Sequence, residues 1–163
     1  MNHYKHLMLA ILLFGFSLPA LADGHASKAE MQILATTSSW VNQSGSVASI
    51  SFTPSSQPGT HSVSGIYVNN APGYRCQGTP YPISGIYYAN TQTVSFSVAW
   101  FNSSEDCQSV TGWTGYFNVA TSPVVMTTNW NISYLTGNGH AISQGSDVFT
   151  MQSTVKSSQL QSQ

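Results

Sequence analysis

Three tryptophans, Trp100, Trp113 and Trp130, stand on strand-like runs with hydroxyl and amide side chains close by. Trp100 closes Val94-Ser95-Phe96-Ser97-Val98-Ala99-Trp100, Trp113 sits in Thr111-Gly112-Trp113-Thr114-Gly115-Tyr116, and Trp130 in Met126-Thr127-Thr128-Asn129-Trp130-Asn131-Ile132. A strand sends alternate side chains to one face. Each Trp shares its parity with apolar neighbours (Val94, Phe96 and Val98; Phe117; Met126 and Ile132), so all three indoles can point into one interior. An indole offers a broad apolar face and one N–H donor. That is chemistry for holding a small molecule. Catalysis would need a nucleophile beside a base, oriented by a third group. No His is paired to a nucleophile, and no second carboxylate accompanies Asp147 in the site, so a hydrolase using Asp147 with a serine is poorly supported. His25, His61 and His140 show no metal-ligand spacing, and no metal or catalytic cofactor is expected.

Strands must position these residues. From Thr36 onward the chain is rich in Val, Ile, Thr, Tyr, Phe and Ser, with no ten-residue stretch of helical period. Eight strands are expected, near 37–43, 47–53, 61–69, 82–89, 92–101, 111–120, 124–135 and 147–153. Pro54–Gly59, Ala89–Thr91 and Ala120–Pro123 are turn signals. Three longer loops remain: Asn70–Pro80, Asn102–Val110 and the Gly-rich Thr136–Ser146. The fold expected is all-β, an eight-stranded antiparallel up-and-down β-barrel, which removes exposed edges and has room for one small ligand. In such a meander the loops after strands 1, 3, 5 and 7 share one rim, so that rim carries all three long loops. Trp40 precedes the rim residues and is expected in the core. Polar residues gather where the strands meet the rim: Asn42, Ser46, Tyr67, Asn69, Ser109, Thr111 and Asp147. Buried polar groups must be paired, and a ring of them lacking internal charge partners would take its pairing from a ligand.

Residues 1–22 read as a secretory signal peptide: Lys5 lies in a short polar start, Leu7–Phe16 is almost wholly apolar, and Ala20-Leu21-Ala22 fits a small-x-small cleavage site. A secreted or periplasmic protein is therefore expected, cleaved near Ala22. Residues 23–35 read as a flexible lead-in, 36–153 as the barrel domain and 154–163 as a disordered tail. From residue 23 onward Lys28, Arg75 and Lys156 face Asp23, Glu30, Glu105, Asp106 and Asp147, a net charge of three minus five, −2. There is no basic patch for nucleic acid. The outward parity of strand 5, Thr93, Ser95, Ser97 and Ala99, is too polar for lipid, which argues against an outer-membrane barrel. Two cysteines remain, Cys76 and Cys107. Export favours a disulfide, closing a loop of about 31 residues and worth roughly 3–4 kcal/mol in the chain-entropy model; two buried free thiols are the other reading.

Several motifs occur in a meaningful order. Trp40-Val41-Asn42-Gln43-Ser44-Gly45-Ser46, Gly65-Ile66-Tyr67, Thr111-Gly112-Trp113-Thr114-Gly115-Tyr116, Thr128-Asn129-Trp130 and Asp147-Val148-Phe149-Thr150 resemble successive strand motifs of the avidin and streptavidin family. Tyr67-Val68-Asn69-Asn70-Ala71 and Cys76-Gln77-Gly78-Thr79-Pro80-Tyr81-Pro82 are most similar to its dimeric, rhizavidin-like bacterial branch. The resemblance spans residues 40–150.

The resemblance implies a secreted, non-catalytic protein that binds biotin at the open end of the barrel. By position, Asn42, Ser46 and Tyr67 would donate to the ureido oxygen, and Asn69 and Asp147 would accept from its N–H groups. Thr111 would face the thioether sulfur and Ser109 the carboxylate. Trp100, Trp113 and Trp130 would wall the rings and the valeryl chain, with Ile132 adding apolar surface. Tetrameric relatives send a Trp from a neighbouring subunit over the ligand, from the segment before strand 8. Thr136–Ser146 holds no Trp, so a homodimer is expected, with a Cys76–Cys107 bridge stiffening the ligand-side loops. The alternative reading is a lipocalin-like carrier that holds another small apolar ligand on the same barrel.

Overall fold

The computed structural model describes residues 28–35 and 37–152; the leader expected over 1–22 and the tail over 154–163 lie outside the described residues. Eight strands follow in order: β1 (Ser38–Asn42), β2 (Val47–Pro54), β3 (Thr60–Val68), β4 (Pro80–Tyr88), β5 (Thr93–Phe101), β6 (Asp106–Asn118), β7 (Val125–Thr136) and β8 (Gly139–Met151). Each pairs antiparallel with the next. The ring closes where β1 meets β8, with Trp40 opposite Met151 and Asn42 opposite Phe149. The expected barrel forms, and strand alternation builds it. On β5, Val94, Phe96, Val98 and Trp100 are buried between exposed Thr93, Ser95, Ser97 and Ala99. Burying one such side chain contributes about 1.5–3 kcal/mol.

The two ends of the barrel differ. One end is plugged by rings. Trp40 lies 5.1 Å from Phe117, Phe52 lies 5.3 Å from Tyr87, and Tyr87 lies 5.4 Å from Phe117. Trp40 is fully buried and donates its Nε1–H to Ser38 Oγ at 2.7 Å, so it is a core residue as expected. The other end opens between the loops that follow β1, β3, β5 and β7. A disulfide, Cys76–Cys107, ties the loop after β3 to the start of β6.

Two features depart from the sequence reading. Lys28–Ala35 is an α-helix, α1, within the segment read as a flexible lead-in. Eight residues do not make a helix that is stable alone. Docking holds this one: Ile33 is fully buried in the barrel's core cluster. The second departure concerns strand length. β6 begins at Asp106, so the loop expected over 102–110 shrinks to 102–105. The segment expected as a Gly-rich loop, 136–146, is a hairpin: β7 and β8 pair without interruption from Val125 opposite Thr150 to Thr136 opposite Gly139. The inner face of this extension looks onto a cavity, not onto packed core. Its inward positions, Ala141, Ser143 and Gly145, therefore carry none of the apolar alternation that marks a strand in sequence.

Candidate functional site

The open end holds a cavity of about 470 Å³. Asn42, Ser46, Tyr67, Asn69 and Asp147 form its floor, and Trp100, Trp113 and Trp130 its wall, with Thr111 and Ser109 higher on β6. Every site residue expected from sequence borders this one hollow. The reason is geometric: β1, β3, β6, β7 and β8 present the same parity inward at the same end of a closed ring.

The polar floor is already wired together. Asp147, 7% exposed, accepts from Asn42 Nδ2 at 3.0 Å and Gln43 Nε2 at 3.0 Å on one oxygen, and from Trp113 Nε1 at 2.8 Å on the other. Asn42 Oδ1 accepts the backbone N–H groups of Ser44 and Ser46, at 3.1 and 2.9 Å, which closes the β1–β2 turn. The Ser46 hydroxyl donates to Asn69 Oδ1 at 3.2 Å and accepts from Asn70 N–H at 3.0 Å. Asn69 Oδ1 also accepts from Ala71 N–H at 3.0 Å. The ring thus pairs largely within itself through neutral hydrogen-bond partners, whereas the sequence reading left that pairing to a ligand. Strand pairing brings together residues such as Asn42 and Asp147, 105 positions apart, and no local pattern announces that.

Capacity is left over. An ionised carboxylate offers about four acceptor sites, and Asp147 uses three. An amide NH₂ has two N–H groups, and Asn42 spends one on Asp147. Burial raises the Tyr67 phenol well above its ordinary value; the Asp147 charge raises it further, and a hydrogen bond with Ser46 acts in the opposite sense. Tyr67 is therefore a neutral O–H donor at physiological pH. Its ring lies 5.0 Å from Trp113 and 5.7 Å from Trp100.

The indoles are set by different means. Trp113 stacks on Phe96 at 5.1 Å and 12° and donates to Asp147, so it joins the wall to the floor. Trp100 donates its Nε1–H to Thr111 Oγ1 at 2.7 Å. Trp130 is half-buried and faces Gly145 across the β7–β8 ladder. A Cβ at position 145 would lie 2.4 Å from Trp130 Cζ2, so the glycine gives the indole room to lie against β8.

The sequence of the avidin family matches this chain over residues 30–152. The chain belongs to the avidin family. It is 53% identical to hoefavidin from Hoeflea phototrophica over 150 residues, 91% of this chain and 92% of that one. It is 43% identical to afifavidin from Afifella pfennigii over 155 residues, 93% of each. Among solved structures it resembles the rhizavidin–biotin complex, with a TM-score of 0.66 and 44% identity over 76% of this chain and 98% of that one.

Several residues of this avidin-family site escaped the sequence reading. Gln43 braces Asp147 and also accepts Val148 N–H at 2.9 Å on Oε1 and donates to Ser146 O at 3.0 Å, locking the end of β1 to β8 beside the floor. Tyr134 and Ser143, linked at 3.2 Å, line the cavity from the hairpin extension. Arg75 and Tyr74 border it from the loop after β3. Gln43 sits beside Asn42, three residues past Trp40, a position the motif itself contained. Ser143 was out of reach while 136–146 read as a loop; Tyr134 lay within the strand expected over 124–135, two residues past Ile132 on the same face, and that parity could have found it.

Proposed function

We propose that this chain is a secreted, non-catalytic, high-affinity biotin-binding protein. Five polar side chains at the floor of a Trp-walled cavity carry the proposal. The unspent capacity matches a cyclic urea. Tyr67 O–H and the second N–H of Asn42 donate toward its oxygen, and the fourth acceptor site of Asp147 takes one N–H. The Ser46–Asn69 bond supplies the rest. Turning the Ser46 hydroxyl toward the urea oxygen frees Asn69 Oδ1 for the other N–H, so one internal bond is replaced by two. Bonds to the ionised carboxylate are roughly twice as strong as neutral ones, and the indole walls lower the local dielectric around them. Because Gln43, Trp113 and the β1–β2 turn hold the floor in advance, little ordering is lost on binding. Trp100, Trp113, Trp130 and Ile132 take the fused rings and the aliphatic chain, Thr111 the sulfur, and Ser109 lies toward the carboxylate. The biotin complex of rhizavidin supports the same ligand here.

The chain acts as a homodimer in this reading. Val110, Tyr116, Ile142 and Val148 are exposed on the outer face of β6–β8, where a second copy would cover them. Export through the leader at 1–22 agrees with the oxidised Cys76–Cys107 pair. Among the described residues no helix is long and apolar enough to cross a membrane.

Calorimetric titration with biotin, paired with thermal melting, tests the reading. Saturating biotin should raise the melting temperature strongly. An unchanged melt would reject biotin and favour a carrier of another small apolar ligand. Sedimentation at low micromolar protein should give a dimer.

A further inference from the structure

The cavity is electrically polarised. Its floor holds Asp147 and its rim holds Arg75, while the wall between them is apolar or neutral. Among the described residues only Lys28 and Arg75 are Lys or Arg. Lys28 lies on α1, whose neighbour Glu30 acts on Tyr87 at the plugged end. Arg75 is thus the single cation at the mouth, and it forms no ion pair with another described residue.

The backbone that carries Arg75 is anchored immediately after it. Cys76, next in sequence, is 2% exposed and bonded to Cys107, which itself borders the cavity. Gly78 N–H donates to Asn69 O at 2.9 Å, and Gln77 Nε2 donates to Ala71 O. The loop is therefore stitched to the end of β3, and Arg75 lines the cavity next to that fixed root. Glu105 has its carboxylate beside the disulfide sulfurs, and Asp106 starts β6 next to Cys107; neither forms an ion pair with Arg75.

We infer that Arg75 is a specificity-determining residue: it favours ligands with N–H donors at the head and a free anionic group at the tail over ligands whose tail is a neutral amide. The inference rests on the proposed biotin-binding reading and adds to it a preference for free biotin over its conjugates. A negative floor alone would repel an anionic tail. A cation at the mouth offsets that repulsion and draws the tail outward, setting the head against Asp147. Arginine suits this because its planar fork can meet a carboxylate with two parallel N–H bonds.

The test compares biotin with biotinamide in competition assays on the full chain, in wild type, Arg75→Gln and Arg75→Lys. Exposed charge pairs are weak and salt-sensitive. The wild type should therefore prefer the acid by roughly two- to fivefold at low salt, and the preference should shrink at about 0.5 M salt. Arg75→Gln should bring the two affinities together, and Arg75→Lys should keep most of the difference. Equal acid-to-amide ratios in wild type and Arg75→Gln would overturn the role of Arg75 while leaving biotin binding intact. If the wild type binds neither form, both this inference and the reading beneath it fail. Matching melting curves for the three proteins exclude a folding defect.

Discussion

Trp40 at the plugged end and Trp113 at the open end are both buried, yet they do different work. Trp40 meets Phe117 at 5.1 Å and donates to the hydroxyl of Ser38, two residues away on its own strand. Trp113 has Phe96 on one face, but its N–H goes to a carboxylate on another strand and its ring also borders a hollow. A ring enclosed by other rings contributes to folding through area removed from water. A ring beside an unfilled cavity leaves part of that contribution to whatever enters. The partner of the indole N–H separates the cases: a local hydroxyl at the plugged end, a distant carboxylate or cross-strand threonine at the open one.

The sharpest way to break this contrast is to remove a ring from the plugged end. Trp40→Ala should cost about 3–5 kcal/mol of folding stability, read from denaturant midpoints, while biotin affinity of the folded fraction changes little. A large loss of affinity at unchanged stability would dissolve the distinction. Asp147→Ala should do the reverse, weakening biotin by roughly 1.5–3 kcal/mol in titration calorimetry. Part of that loss would come from Asn42, Gln43 and Trp113, left without their acceptor. Tyr67→Phe should cost about 1–2 kcal/mol of biotin binding through one lost buried hydrogen bond. It keeps the ring contacts with Trp100 and Trp113, so the melt without ligand should barely move. The smallest effect is expected from Gly145→Ala. Displacing the Trp130 indole should cost roughly 1 kcal/mol of affinity, visible as faster biotin dissociation, with the melting temperature of the unliganded protein nearly unchanged.

The strands nearest the core were legible because their alternation is apolar. Val94, Phe96, Val98 and Trp100 mark β5 in any reading, and the same parity rule placed Trp113 and Trp130 inside. The hairpin extension was not legible. Its inward positions face a cavity, so Ala141, Ser143 and Gly145 are under no pressure to be large and apolar, and the segment reads as a loop. The helix α1 was hidden for a related reason: a two-turn element owes its order to the docking of Ile33, not to a pattern of its own. The residues named from strand parity, rim position and motif order all border one cavity, but their wiring was not legible. Gln43 was passed over because all its partners lie on β8, among them a carboxylate 104 positions away.

By itself, the amino-acid sequence determined which side chains face inward, because a period of two leaves each strand only one apolar face to bury. It also supplied a carboxylate, amides and hydroxyls at the ends of strands that must share a rim. Only the tertiary structure decided that these groups satisfy one another before a ligand arrives, that Gly145 makes room for Trp130, and that Arg75 lines the cavity. Each of those depends on distances between residues remote in the chain, and such distances are set when the ring closes and β1 pairs with β8.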